Sequence, residues 1–218
     1  KQPVEVIEKS LVGNYKVEHL FSLKQAVELY DFYQLKIADC DKVIETLLNE
    51  WTPESSEQAM ALPKRRKTKS SPRFEINQYL YDLCGVDLTE IDGIDALSVL
   101  KIVSEIGTDM RHWKSEKRFG SWMGLSPGTK ISGGKILKRS TKSSANRVAA
   151  TLRGCANTLH NRPKEMKTIL RRMKARVGSP KAITATAYKL AKLHYRMLDK
   201  KIPYQDIGQN YYEQKYKE

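Results

Sequence analysis

The chain has 218 residues, of which 40% are hydrophobic, and it carries a formal net charge of +14 at pH 7. This composition excludes wholesale disorder, and no apolar run approaches the roughly 18 residues of a membrane span, so we expect no membrane partner. Arg111–Lys201 holds 24 basic and 3 acidic residues. Because solubilising surfaces usually mix both signs, this concentration favours a nucleic-acid partner.

Residues 18–51 are predicted to form one long helix, whereas residues 1–16 show no strong period. Apolar or part-apolar residues recur in steps of three and four, close to a heptad seam: Leu20, Leu23, Val27, Tyr30, Tyr33, Ile37, Cys40, Ile44, Leu47 and Trp51. A helix of about 50 Å is longer than a compact domain of this size needs. This favours a coiled-coil arm for dimerisation over a helix packed inside its own bundle.

Residues 52–73 are predicted to be a basic flexible linker, because Pro53, Pro63 and Pro72 break helices and the Ser and Lys content resists burial. Two interpretations of the run Lys64–Lys69 stay open: contact with nucleic-acid phosphates, and a solvated tether.

Residues 74–84 are predicted to form a short helix that ends at Gly85. The turn at residues 91–94 precedes a further helix and resembles a helix-hairpin-helix, in which backbone N–H groups contact a DNA phosphate. Asp95 stands where such turns often have glycine, and its charge would repel phosphate. The pattern slightly favours a purely structural turn, and contact with DNA stays open.

Three more helices are expected beyond residue 140. The first is capped by Ser143 or Ser144 and runs to about His160, with Asn146, Arg153 and Asn157 opposite its apolar face. The others cover residues 163–177 and 180–199. Before them, a short helix at residues 114–123 buries Phe119, Trp122 and Met123.

The three cysteines, Cys40, Cys84 and Cys155, are widely separated and form no Cys-x-x-Cys pair. This pattern predicts reduced, buried thiols in a cytoplasmic protein, and neither a disulfide framework nor a metal site. His194 lies on an apolar helical stripe, which favours a core histidine with satisfied hydrogen bonds over a catalytic one.

Residues 124–142 form a glycine-rich loop that runs into a basic stretch. Glycines at 124, 128, 133 and 134 allow positive φ and close approach to a ligand. Ser132 adjoins two of them, and no acid occurs from Lys117 to Arg162. The composition predicts a phosphate-binding site with one candidate nucleophile. No P-loop or dinucleotide motif is present, so we expect no cofactor and no metal in this chain.

Strand signals are sparse and limited to possible short pieces near the glycine-rich loop. The predicted fold is therefore mainly α: a long coiled-coil helix, then a small helical domain with a helix-hairpin-helix-like turn and a Gly-rich loop.

Four segments closely resemble the DEDD-type transposases of bacterial insertion sequences: EHLFSLKQAVELYDFYQLKIADCD, VDLTEIDGIDALSVLKIVSEIGTD, FGSWMGLSPGTKISGGK and SPKAITATAYKLAKLHYRML. These are the Piv-like, bridge-RNA-guided serine recombinases of the IS-one-ten family. The likeness runs from about residue 10 to the C-terminus, and the ISGGK and STKSSANR segments are the specific part.

The resemblance implies an N-terminal RuvC-like nuclease domain with four metal-binding acids, then a coiled coil and a C-terminal transposase domain with a serine nucleophile. We expect this chain to begin after the nuclease domain, so none of the four acids is assigned here, and Mg²⁺ is implied only in the missing domain. Residues 1–51 then correspond to the coiled coil and residues 74–218 to the transposase domain.

By the same resemblance Ser132 matches the catalytic serine, and cleavage would join DNA to it through a phosphoserine link. No His–Asp pair adjoins Ser132 to activate it, so a metal held by the missing acids would polarise the scissile phosphate. The chain alone is therefore expected to be inactive. The residues expected to contact nucleic acid are Gly133, Gly134, Lys135, Lys138, Arg139, Lys142, Asn146, Arg147 and Arg153.

The leading hypothesis is a bacterial, cytoplasmic DNA transposase or site-specific recombinase. Its expected partners are DNA, a structured guide RNA and further copies of itself, as a dimer through the coiled coil or a tetramer. The alternative is a non-catalytic helical nucleic-acid-binding module, and the third hypothesis is a helical scaffold whose charge is incidental.

Overall fold

A computed structural model describes residues 2–52, 62, 71–142, 144–159 and 165–205, with only the backbone at Lys130, Lys138, Arg139 and Glu165. The described part is mainly helical, as predicted. Its contacts divide the chain into two compact units, Lys1–Leu47 and Leu48–Glu218. Most of the predicted linker, together with Ser143, His160, Pro163 and the tail from residue 206, lies outside the described residues. No helix of the described part is long and apolar enough to cross a membrane.

The first unit consists of α1 (Val4–Ser10) and most of α2 (Val17–Trp51), the predicted long helix. The α1 helix has no counterpart in the sequence prediction. The large seam residues of α2 within this unit are 41–63% exposed, except for the half-buried Ile44. Cys40 is exposed, contrary to the prediction of three buried thiols, because it lies on this seam and nothing in the unit covers it.

The second unit is assembled around its last helix. It contains α3 (Ile76–Cys84), α4 (Ala96–Ile106), α5 (Glu116–Trp122), α6 (Arg147–Thr158), α7 (Glu165–Val177) and α8 (Ser179–Lys200), with 3₁₀ turns at Leu88–Glu90 and Met110–His112. The α8 helix packs against α5, α6 and α7, while α4 packs against α6 and α3. The core sits where these helices meet, and its fully buried side chains include Phe119, Leu152, Leu170 and Leu190.

Close packing between α5 and α8 depends on a glycine. A Cβ at Gly120 would lie 2.2 Å from Cε2 of Tyr188, a distance that no real contact tolerates. The Gly120 carbonyl also accepts a hydrogen bond from the backbone N–H of Leu125 at 3.0 Å. The glycine therefore lets α5 approach α8 and ties the chain that leaves α5 to that contact.

Several predicted helix ends are confirmed. Gly85 has φ +68° directly after α3, and Gly178 has φ +82° between α7 and α8, as expected for glycine stop signals. Asp95 caps α4, because its side chain accepts a hydrogen bond from the N–H of Ser98 at 2.9 Å.

The cap predicted for α6 is wrong. Asn146 occupies that position and its Oδ1 accepts from the N–H of Ala149 at 3.0 Å. Ser144 lies two residues earlier, where its Oγ accepts from the N–H of Asn146 at 3.2 Å. Asn and Ser are comparably good caps, so the local sequence did not distinguish them.

Trp122 is not a core residue, contrary to prediction, and is 49% exposed. It is the last residue of a seven-residue helix. Phe119 and Gly120 of the same helix are buried, so α8 covers their side of α5 and leaves the helix end open.

His194 is fully buried, as predicted, but its hydrogen bonds are not satisfied. Neither ring nitrogen has a hydrogen-bond partner within the described residues. Burial lowers the pKa of this imidazole from 6.5 to about 4, because desolvation penalises the charged form. The side chain is therefore a neutral member of the core at physiological pH.

The glycine-rich segment forms an antiparallel hairpin of β1 (Pro127–Ser132) and β2 (Lys135–Thr141). The sequence indicated only possible short strand pieces near this glycine-rich loop, and the structure shows that they pair into one hairpin.

The chain after α8 returns to the 3₁₀ turn at Leu88–Glu90. There the backbone N–H of Tyr204 donates a hydrogen bond to the Glu90 carboxylate at 3.0 Å.

Candidate nucleic-acid interface

The turn of the hairpin is built from two glycines. Gly133 has φ +51° and Gly134 has φ +75°, the sign that a two-residue type I′ turn requires at both central positions. A Cβ on either residue would meet nothing within 4 Å. Backbone conformation, and not lack of space, therefore explains the glycine pair.

Strand pairing sets the position of the candidate nucleophile. Ser132 is the last residue of β1 and pairs with Lys135 across the turn. Further along the ladder, Lys130 pairs with Lys138 and Thr129 with Arg139, with a register shift between Lys130 and Ile131. Such bulges increase local twist and often occur near functional sites. The hairpin thus brings four basic positions of two strands together beside Ser132.

The hairpin is open to solvent. Every described side chain from Pro127 to Lys142 is exposed, including the apolar Ile131, Ile136 and Leu137 at 63%, 47% and 69%. Its base is closed tightly, because a Cβ on Gly124 (φ +71°) would lie 2.7 Å from Cβ of Ser144 and 3.1 Å from the carbonyl of Lys142. The hairpin therefore projects from a fixed base and can be reached by a large ligand.

Ser132 has no activating side chain in the described part of the chain. Its side chain is exposed, and no described residue forms a hydrogen bond with its hydroxyl. A serine hydroxyl is a weak nucleophile without an adjacent base or metal. The described residues thus supply position and charge to Ser132 but no general base.

The predicted contacts on α6 have different surroundings. Arg147 forms an ion pair with Glu105 at 3.0 Å, and its side chain is still 85% exposed. Such surface pairs contribute about 0–1 kcal/mol, so a phosphate can replace the carboxylate. Arg153 is half-buried and Lys142 is exposed. Asn146 uses its carbonyl oxygen for the cap and keeps its amide N–H donors.

Glu116, an acid near the start of α5, is neutralised by basic side chains of α8. Glu116 binds Lys192 at 2.7 Å and also Arg196. Partial burial raises the pKa of Glu116, but hydrogen bonds from Arg196 and Lys192 outweigh that effect and leave it lower than usual. Within the described residues, no group of three or more His, Cys, Asp or Glu side chains could hold a metal ion.

The helix-hairpin-helix-like turn packs against α6. Gly93 has φ +80°, and a Cβ there would lie 2.8 Å from the carbonyl of Cys155. The turn borders a groove of about 930 Å³, whose lining includes four acids and two lysines: Glu75, Glu90, Asp92, Asp95, Lys101 and Lys167. This charge and the capping role of Asp95 support the structural interpretation of the turn.

Sequence reasoning missed two features of this surface. The first is the strand pairing between Ser132 and Lys135, which the Gly133-Gly134 pair between two runs with β-branched residues signals. The second is the exposure of Trp122, for which the sequence holds no local signal.

Comparison with known families bears on this region. The model of the family described as "Transposase IS116/IS110/IS902 family" matches residues 86–171. This match supports a transposase of the IS110 family. It covers the turn at Gly93, the whole hairpin, α6 and part of α7, so Ser132 and the predicted contacts from Gly133 to Arg153 lie inside the matched segment. A transposase acts on DNA in the recombination of mobile elements, which agrees with the charge of that region. No curated protein matches the chain.

Proposed function

We propose that this chain is the strand-joining part of a bacterial, cytoplasmic DNA transposase, with Ser132 as the nucleophile. The observation that supports this best is the position of Ser132: it ends β1 at an exposed glycine turn and pairs with Lys135. An unobstructed hydroxyl next to a lysine on the paired strand suits attack on a phosphodiester.

The proposed step exchanges one phosphate ester for another. Ser132 Oγ forms a bond to phosphorus and loses its proton, while the bond to one deoxyribose oxygen breaks and that oxygen gains a proton. The DNA end stays attached as a phosphoserine, and the reverse step rejoins it to a strand. Lys135 offsets charge that develops on the phosphate oxygens.

Activation of Ser132 is assigned outside the described residues. Because they include no base at its hydroxyl and no metal-binding cluster, the proposal assigns neither role to them. The complete recombinase then requires the metal-dependent nuclease domain that the family resemblance implies, and this chain alone forms no covalent adduct.

Nucleic-acid binding is proposed for the basic side of the hairpin and the start of α6. DNA, and a structured guide RNA in the complete recombinase, would contact Gly133, Gly134, Lys135, Lys138, Arg139, Lys142, Asn146, Arg147 and Arg153. The charge balance supports this, because Glu116, Glu165 and Asp199 are the only acids in Arg111–Lys201.

Self-association is proposed through α2. Its seam has the heptad-like spacing of a coiled coil and is exposed within its own unit. A second copy would cover these side chains, which gives a dimer or a higher oligomer built from dimers.

The test of the catalytic role is a covalent adduct between protein and labelled DNA on a denaturing gel. In the complete recombinase, with nuclease domain, divalent metal and guide, Ser132→Ala should abolish the adduct while DNA binding stays nearly unchanged. Ser140→Ala is the matched control, since Ser140 is exposed and lies on the opposite strand of the same hairpin.

Two outcomes contradict the assignment. An adduct that survives Ser132→Ala points to another serine, with Ser126, Ser140, Ser143 and Ser144 next to be examined. An adduct formed by this chain alone contradicts the need for the nuclease domain. The alternative function is a non-catalytic nucleic-acid-binding module. It is favoured by the lack of a base at Ser132 among the described residues, and it predicts DNA binding without any adduct even when nuclease domain, metal and guide are present.

A further inference from the structure

Trp122 presents an aromatic ring to solvent on a packed support. The residue is 49% exposed, while Phe119 beneath it is fully buried. The two rings are nearly parallel, with an interplanar angle of 18° and centroids 6.4 Å apart. Trp113 adds a second contact at 5.4 Å between centroids. One side of the indole is thus covered by protein while part of it remains free.

The support of Trp122 is itself fixed in place. Trp113 and Phe119 meet edge to face at 4.9 Å, and Tyr195 of α8 contacts Phe119 at 5.6 Å. The hydroxyl of Tyr195 donates a hydrogen bond to the carbonyl of Trp113 at 2.8 Å. These contacts join the end of α5 to the core. The indole is therefore preorganised, which lowers the ordering cost of binding a ligand.

The surroundings of the ring are cationic. Arg118 lies four residues before Trp122 on α5, so the two side chains are neighbours on the helix surface. Arg118 is exposed, and no described acid pairs with it. Lys114 and Lys117 nearby are also exposed. The acid of α5, Glu116, is bound by Lys192 and Arg196 and does not neutralise them.

A rigid aromatic ring beside unpaired cations suits a single nucleic-acid strand. A base can stack on the ring while the adjacent phosphate binds the cation, and such stacking tolerates any sequence because every base has a π-face. An apolar protein surface would leave Arg118 without a counter-charge. In a duplex the base faces are already stacked on each other, so a duplex cannot offer them to Trp122.

We propose that Trp122 is a stacking platform for an unpaired DNA base, with Arg118 binding the neighbouring phosphate. The inference deepens the proposed function and rests on it in one respect: strand exchange separates paired strands and so produces unpaired bases. Trp122 precedes β1 by five residues in the chain, so the platform leads directly into the strand that carries Ser132.

The first test measures binding of this chain to a single-stranded DNA of roughly 12 nucleotides, within the usual site sizes, and to a duplex of the same sequence. Trp122→Leu should weaken single-strand binding about 5- to 150-fold, the equivalent of one lost base stack. Duplex binding should not change. The log–log salt slope should also stay constant, because no phosphate contact is lost.

Matched variants separate stacking from folding and charge. Trp122→Phe keeps a ring and should retain most of the single-strand affinity. Tyr15→Leu removes a similarly exposed aromatic ring, 50% exposed, from a position outside the α2 seam, and should have no effect. Arg118→Ala should lower the salt slope by about one phosphate contact. Thermal unfolding of each variant checks that the fold is intact.

A second measurement does not depend on the Leu variant. In a Trp51→Phe background, single-stranded DNA should quench tryptophan emission, and adding Trp122→Phe should remove that quenching. Quenching that persists without Trp122 overturns the proposal.

Further outcomes also overturn it. Equal losses for single strand and duplex would mean that Trp122 contributes no stacking. A loss seen with RNA of the same sequence but not with DNA would identify RNA as the occupant, and a changed sedimentation coefficient without any binding change would identify a protein. These measurements use this chain alone, whereas the Ser132 adduct is measured in the complete recombinase. The stacking proposal can therefore fail while the catalytic proposal holds, and the catalytic proposal can fail while the stacking proposal holds.

Discussion

The two longest helices, α2 and α8, have similar apolar periodicity but opposite environments. The seam of α2 is largely exposed within its unit, whereas α8 buries residues such as Ala187, Leu190 and Leu198 among three helices. Periodicity therefore predicts a helix and its apolar face, but not what covers that face. For α8 the cover is in the same chain, and for α2 we propose a second copy.

The largest expected effect is in the core around α8. Leu190→Ala removes a fully buried side chain and should lower the free energy of unfolding by about 2–5 kcal/mol, because it leaves a cavity. Leu35→Ala makes the same chemical change on α2, where Leu35 is 67% exposed, and should cost less than about 0.5 kcal/mol. Urea denaturation of both variants at low concentration tests this. Equal losses would contradict the contrast between the helices.

The next largest effect concerns the pH dependence of α8. His194 has a pKa near 4 when folded and 6.5 as its reference value, so the unfolded chain binds the extra proton between these values. Stability should fall as pH drops from about 6.5 to 4, by up to about 3 kcal/mol from this residue.

His194→Leu tests that assignment, because it removes both the titration and the unpaired ring nitrogens. This variant should match or exceed wild-type stability at pH 8 and lose less stability on acidification. Leu190→Ala removes no titratable group, so it should lower stability at every pH and keep the shape of the wild-type profile. An unchanged profile in His194→Leu would show that other groups set the acid sensitivity.

For α2 the comparison predicts that substitutions on the seam change self-association but not folding. Leu23→Glu with Ile37→Glu places two charges on the seam and should convert a dimer to a monomer in sedimentation at tens of micromolar. Ser22→Glu with Gln25→Glu adds the same charge beside the seam and should leave the dimer intact. A wild-type chain that is already monomeric at that concentration would contradict the dimerisation role of α2.

The smallest expected effect concerns α6, which packs one face on α8 and exposes the other face to solvent. Arg147→Ala should change stability by less than about 1 kcal/mol and should reduce the log–log salt slope of DNA binding by about 0.9 for each lost phosphate contact. Arg153→Ala should act in the same direction, and Lys16→Ala in the first unit is the control. A flat slope for the wild-type chain would contradict the electrostatic argument.

Much of the fold could be predicted because its signals are local. The period of α2, the glycines that end α3 and α7 and the stripe of α8 all lie within a few residues of the elements they define. The hairpin was indicated only as possible short strand pieces, because both of its faces are exposed and its strands show no alternation of polar and apolar residues. The exposure of Trp122 could not be predicted, since it depends on which side of α5 meets α8.

The candidate site divides in the same way. Sequence indicated Ser132, its glycines and the run of cations, since these are properties of composition and spacing. The pairing of Ser132 with Lys135 was missed although the Gly133-Gly134 pair signals it. The sequence could not indicate that Asn146 caps α6 or that Arg147 meets Glu105, because such partners follow from cap geometry and helix packing.

The close approach of Gly120 to Tyr188 leaves no room for a side chain between α5 and α8. A side chain at 120 would require the Tyr188 ring to turn away or α5 to move from α8, and in the second case the Leu125–Gly120 hydrogen bond would carry the displacement into the chain entering β1. The spacing of α5 and α8 is thereby coupled to the chain that leads into the hairpin. A single added methyl group, 12 residues before Ser132 in the sequence, would act on the approach to β1 while leaving every residue of the hairpin unchanged.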